Sequence, residues 1–227
     1  MTEMLKQFNR KNNCEACEEL GQNRNKAVLY VHGKGGNAEE AEHYRELFPE
    51  CDVYGLDYRT DLPWETNLEV ESVVNDLSGR YRHIILIANS IGAFYSINAN
   101  IGGKIERAFF ISPMVNMEKL ILSMMTWAKV SEADLQREKN IRTEFGEDLS
   151  WEYLCYVREH PVSWRVPTDI LYGSEDHLQD QETVRNFAEK TGASLTVMKG
   201  GEHWFHTEEQ VAFLDRWLEA KTGTVRD

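Results

Sequence analysis

A chain of 227 residues with 41% hydrophobic and 28% charged residues has the size and composition of one large globular domain with a sizeable core. Its formal net charge of -13, with lysine and arginine scattered, disfavours nucleic acid and anionic membranes as partners, because phosphate contact relies on clustered cations. No apolar run approaches the ~18 residues of a membrane span, and the polar start MTEMLKQFNRKNN lacks a signal-peptide core, so a cytoplasmic protein is expected.

Residues 1–25 are polar and weakly periodic, and read as an N-terminal arm. Four cysteines occur, and Cys14 and Cys17 form a C-x-x-C pair. A structural zinc site needs four ligands, yet no second pair and no suitably spaced histidines accompany it, so no metal is expected. The first convincing strand is the apolar run Lys26-Ala27-Val28-Leu29-Tyr30-Val31, suited to the buried centre of a parallel sheet. It ends in His32-Gly33-Lys34-Gly35-Gly36, after which Asn37 can cap a helix over 38–48 closed by Pro49.

Cys51 to Leu56 reads as a second strand, followed by a loop through Asp57-Tyr58-Arg59. A helix over about 64–80 comes next, with Leu68, Val70, Val73, Val74 and Leu77 as its expected buried face. The run from His83 to Ala88 is a third strand that passes at Asn89-Ser90 directly into a helix-compatible stretch, and Arg107 to Ile111 is a fourth. Ser90 is therefore either an ordinary N-cap or a reactive serine held in a sharp strand-to-helix turn, with the small residues Ala88 and Gly92 on either side.

Between 114 and 165 only helical patterns are expected, with starts near Met117, Ser131 and Ser150. This stretch is rich in methionine and aromatic side chains, which pack the insertion onto the domain and, as a lid, could line an apolar pocket. Alternation resumes with a strand at Thr168 to Tyr172, the loop Gly173-Ser174-Glu175-Asp176-His177, a helix near 181–190, a strand at Ser194 to Met198, the loop Gly200-Gly201-Glu202-His203, and a closing helix over 207–221. The domain plan is a core of 26–113 and 166–227 with a helical cap insertion at 114–165. The fold class is α/β, a mostly parallel central sheet of about six strands with helices on both faces.

Ligand sites in such sheets lie outside the carboxyl ends of the strands. That edge gathers the glycine-rich loop after Val31, Ser90, Asp176 and His203. A serine hydroxyl needs a base, the base an orienting carboxylate, and a tetrahedral intermediate needs preorganised N–H donors. Glu175 and Asp169 compete with Asp176, although Asp169 lies at its strand's start; His206 and His177 compete with His203. His43, His83 and His160 read as surface or packing residues.

In these motifs the chain from about Lys26 to Lys221 resembles the α/β-hydrolase superfamily. The order Ser90, Asp176, His203 matches its nucleophile, acid, base order, and Ala88 departs by one methyl group from the usual G-x-S-x-G elbow. The resemblance implies an oxyanion hole from the amides of Lys34 and Ile91, supported by His32, Gly33, Gly35 and Gly36. It further implies a serine esterase that acts on a small-molecule ester through an acyl-enzyme, with no cofactor. Transfer of the acyl group to another acceptor, and ligand binding without catalysis, are the alternatives.

Overall fold

The computed structural model describes residues 25–223. The expected arm, and with it Cys14 and Cys17, lies outside the described residues but for Asn25. Six strands form the central sheet, all parallel: β1 (Lys26–Val31), β2 (Asp52–Leu56), β3 (His83–Asn89), β4 (Arg107–Ile111), and, after a separate two-stranded hairpin β5 (Asn140–Arg142) and β6 (Asp148–Ser150), β7 (Thr168–Gly173) and β8 (Ser194–Met198). Their spatial order is β2-β1-β3-β4-β7-β8. The chain leaves β1 to one side for β2 and returns on the other for β3, so the order of strand addition reverses between β1 and β3. Crevices at such points receive ligands.

Alternation along β1 explains the layers. Ala27, Leu29 and Val31 face one core, Val28 and Tyr30 the other, as side chains two apart share a face. The first core is covered by α1 (Pro63–Ser78), α2 (Ile91–Asn98) and α6 (Gln181–Thr191), and the second by a 3-10 helix (Ala38–Tyr44) and α7 (Glu208–Thr222). Between β4 and β7 lie α3 (Met117–Ala128), α4 (Glu132–Glu138), the hairpin and α5 (Trp151–Glu159). Met117, Ile121, Leu135, Leu149, Leu154 and Trp164 from this stretch continue the first core. Arg158 of α5 ties it together through ion pairs of 2.7 Å to both Glu118 and Glu132.

Three expectations need correction. The segment after Asn37 is a 3-10 helix ending at Tyr44, shorter than the helix expected over 38–48, although Asn37 does cap it through a box with Glu40. Residues 140–150 contain strands where only helix was expected. Each is three residues long, too short for a periodic signal, and the turn between them is closed by Thr143, whose hydroxyl donates to the Glu147 carbonyl at 2.6 Å. Leu68 is 63% exposed. The buried stripe of α1 runs through Thr66, Glu69, Val70, Val73, Val74 and Leu77. Glu69 is buried there because its carboxylate accepts from both the Arg59 amide (3.2 Å) and Nε (3.0 Å), satisfying a charge that could not otherwise be desolvated.

Candidate active site

Ser90 stands between β3 and α2 with φ 51° and ψ -120°, and its side chain makes no capping hydrogen bond. The N-cap alternative therefore fails. The turn is held from both sides: the Ser90 amide donates to Ile111 O (3.0 Å), and its carbonyl accepts from Met114 N (3.0 Å). Gly92 permits the turn, since a Cβ there would sit 2.4 Å from the Val31 carbonyl oxygen. A positive φ on a serine is strained backbone that persists only when its surroundings over-determine it. Ala88, fully buried against Val31 and Phe110 in neighbouring strands, fits without further adjustment.

Ser90 Oγ lies 2.7 Å from His203 Nε2, and His203 Nδ1 lies 2.7 Å from Asp176 Oδ2. The Asp176 side chain is fully buried, and that of His203 is 19% exposed. The other oxygen of Asp176 accepts from the amides of Leu178 (2.8 Å) and Gln179 (3.3 Å). With one oxygen held by backbone donors, the other is aimed at the imidazole, which fixes Nδ1 as the protonated nitrogen and leaves Nε2 to accept from the serine. The acid and histidine loops touch directly: Glu175 N donates to Gly201 O at 2.8 Å, and a Cβ on Gly173 would meet that oxygen at 2.3 Å.

The competing residues fall elsewhere. Asp169 opens β7 at the opposite edge, bound to Arg107 (2.5 Å) and Lys221 (2.7 Å). Glu175 is exposed beside Ser174, His177 is exposed, and His206 bonds to the Trp204 carbonyl at 2.7 Å. His43 and His83 pair with Asp215 and Glu106, while His160 stacks on Tyr156.

The loop after β1 faces the serine. A Cβ on Gly33 would meet Ser90 Cβ at 3.1 Å. The Gly33 carbonyl is surrounded by three donors: His32 Nδ1 (2.7 Å), Gly36 N (3.1 Å) and the Tyr58 hydroxyl (3.1 Å). That carbonyl and the Lys34 N–H are opposite ends of one trans peptide, so pinning the oxygen also fixes the direction of the N–H. Among the described residues, neither the Lys34 nor the Ile91 amide donates a backbone hydrogen bond. The Lys34 ammonium itself is turned aside, paired with Glu147 of the hairpin turn. Gly35 takes φ 75°, and Gly36 packs against His32 and the Glu40 carboxylate.

Two supporting residues escaped the sequence reading. Tyr58 stacks on His32 with ring centroids 4.1 Å apart, and burial, with Asp61 and Glu40 nearby, pushes its hydroxyl well above the usual tyrosine range, so it remains a donor. Gln179, buried, accepts from Val115 N (3.1 Å) and Asn116 N (2.8 Å), joining the acid loop to the segment whose Met114 amide holds Ser90. A position at the same strand edge was the only signal for either.

The cavity over Ser90 has a volume of about 350 Å³ and is lined by the 33–36 loop, Glu40, Asn89, Ser90, Leu178, His203 and Trp204. Its lining contains no residue of 114–165, although Glu147 of that stretch pairs with Lys34 of the lining. Trp127 and Phe145 of that stretch instead pack edge to face on the surface, 55% and 46% exposed.

Structural comparison sets this architecture among known ones. Est1E from Butyrivibrio proteoclasticus superposes with a TM-score of 0.71 at 15% identity, covering 89% of each chain. Mouse alpha/beta hydrolase domain-containing protein 10 gives 0.71 at 13%, covering 88% of this chain and 90% of its own. The chain has the α/β-hydrolase fold. A Pyrococcus furiosus esterase also superposes on it, with a TM-score of 0.58 at 20% identity over 88% of this chain and 80% of the esterase. No protein-family model matches the sequence, and no curated protein matches it by sequence. Among the described residues, no helix is long and apolar enough to cross a membrane.

Proposed function

We propose that this protein is a serine hydrolase that cleaves a carboxylic ester of a small apolar or aromatic group. The observation that carries the reading is the continuous hydrogen-bonded line from Ser90 through His203 to buried Asp176, with both links at 2.7 Å. His203 Nε2 takes the Ser90 proton as Oγ attacks the carbonyl carbon, and Asp176 stabilises the imidazolium that results. The Lys34 and Ile91 amides receive the developing oxyanion, an arrangement that needs no reorganisation at the moment of reaction. His203 then protonates the departing alcohol, and water, activated by the same imidazole, releases the acid from Ser90.

A cavity of about 350 Å³ lies at the small end of the ligand-pocket range and suits a compact ester. The likeness to an esterase and to Est1E, which has been solved with ferulic acid bound, supports ester chemistry. Rapid mixing with p-nitrophenyl acetate should give a burst of nitrophenol equal to one per protein chain, with acetate recovered on Ser90 by mass spectrometry. Absence of an acetylated Ser90 would overturn the reading. Product analysis with an added alcohol separates hydrolysis from acyl transfer: ester products at the expense of acid would mean that the acyl-enzyme serves an acceptor other than water.

A further inference from the structure

Trp204 is the most exposed large apolar side chain among the described residues, at 68%, and it lines the cavity over Ser90. A solitary exposed tryptophan needs no explanation, but this one is held in a fixed attitude. His206 stacks on one face of its indole with centroids 4.8 Å apart and rings within 25° of parallel, and the His206 ring is itself tied by Nδ1 to the Trp204 carbonyl at 2.7 Å. The indole is thus a flat apolar plate, backed on one side. Leu178, 43% exposed, is the other apolar residue lining the cavity.

Both residues belong to the loops that carry the proposed base and acid: Trp204 follows His203, and Leu178 lies two residues after Asp176, to which its amide donates. The chemistry of the site assigns a part of the substrate to this side. When the tetrahedral intermediate collapses, the bond between carbonyl carbon and alkoxy oxygen breaks, the acyl group stays on Ser90 Oγ, and the proton held on His203 Nε2 passes to the departing oxygen. That oxygen must therefore sit within hydrogen-bond reach of Nε2, and the group attached to it leaves along the His203 and Asp176 loops. The carbonyl oxygen is committed to the opposite wall, formed by the 33–36 loop.

We propose that Trp204 and Leu178 form a subsite for the alcohol portion of the ester, and that the preferred alcohol is aromatic and carries no negative charge. This rests on the hydrolytic reading above. A planar ring stacks on a planar indole with an offset geometry that an alkyl chain cannot match. The Lys34 ammonium, also in the cavity lining, is paired with Glu147, so Glu40 and a net charge of -13 disfavour an anionic alcohol. Because the plate is open to solvent, the subsite reads the ring beside the ester oxygen and leaves the remainder of the alcohol unrestricted.

The test uses esters of one acid, so that the acyl-enzyme is common to all: phenyl acetate, 2-naphthyl acetate and ethyl acetate, with the full-length wild type, Trp204→Ala and Trp204→Phe. Such an exposed residue can be replaced with little effect on folding, and the Phe variant keeps a ring. The alanine variant should lose about 3–10-fold in kcat/KM for the two aryl esters, the size of one stacking contact, and less than 2-fold for ethyl acetate. Trp204→Phe should recover most of the loss. The rate of acetyl-enzyme breakdown should not change in any variant, since the alcohol has already departed. An equal loss for ethyl acetate, no loss for the aryl esters, or slower acetyl-enzyme breakdown in Trp204→Ala would overturn the subsite. A wild type that forms no acetyl-enzyme would overturn the hydrolytic reading itself, which is a different result.

Discussion

Two buried aspartates near either end of one strand have opposite kinds of partner. Asp169 opens β7 and is met by fixed cations, Arg107 and Lys221, together with the Ser194 hydroxyl. Asp176 lies three residues beyond the other end of β7, where it faces two backbone amides and the imidazole of His203. A carboxylate saturated by permanent charges has nothing left to offer a reaction. One whose partner is a titratable ring keeps that ring oriented and stabilises it once it gains a proton.

Backbone strain divides the molecule in the same way. Ser90 at φ 51° and Ser112 at φ 42° both lie just past the carboxyl ends of neighbouring strands, β3 and β4. The other non-glycine residues with positive φ, Lys129 and Lys139, merely follow the ends of α3 and α4. Among the described residues, the two serines with positive φ thus lie at one edge of the sheet, and the Asp169 ion pairs lie at the other. Strained positions persist only where packing enforces them.

The contrast between the aspartates can be broken by experiment. Asp176→Asn should lower kcat by about 10⁴-fold, the order of effect expected when the base loses its orienting carboxylate, with thermal stability within a few degrees of wild type. Asp169→Asn should do the reverse. Leaving Arg107 and Lys221 without their carboxylate should cost about 1–2 kcal/mol, given that both cations keep partial contact with water, and should lower Tm by several degrees while kcat/KM stays within about 2-fold. Calorimetry and ester kinetics on the same preparations would decide both. If Asp169→Asn also abolished activity, the division of labour would be wrong.

A pH series sharpens the stability side. Burial alone would raise the Asp169 carboxyl, but Lys221, Ser194 and Arg107 together hold it below the usual carboxylate range. A folded-state pKa below the unfolded one stabilises at pH above ~4, and that contribution is lost as pH falls through the folded value. The Tm gap between wild type and Asp169→Asn should therefore be full at pH 6 and shrink toward pH 3. A gap that widened in acid would contradict the assignment.

The smallest effect belongs to Tyr58. Removing its hydroxyl leaves His32 Nδ1 and Gly36 N on the Gly33 carbonyl, so Tyr58→Phe should cost about 3–10-fold in kcat, as expected for one hydrogen bond acting through the Lys34 peptide. KM should hold steady. A loss in KM alone would place Tyr58 against substrate instead.

Much of this was legible in the sequence because the α/β pattern writes itself in apolar runs and the loops between them. β1, β3, β4 and β7 read as strands from continuous burial, and once their carboxyl ends were known, Ser90, Asp176 and His203 fell on one edge. What stayed hidden depends on contacts between segments distant in sequence. Glu69 can hold a core position because Arg59 reaches its carboxylate, and Leu68 lies off the buried stripe on which Glu69 stands. The 140–150 hairpin is closed by one threonine side chain, and Gln179 matters only because the 114–116 segment passes beside it. Tyr58 sat in a loop whose path no periodicity could give.

The most direct test of the account is covalent labelling of Ser90. A fluorophosphonate probe should modify one residue of the folded protein, found by peptide mass spectrometry at Ser90, with labelling lost in Ser90→Ala and slowed in Asp176→Asn. Equal labelling of wild type and Ser90→Ala would contradict it.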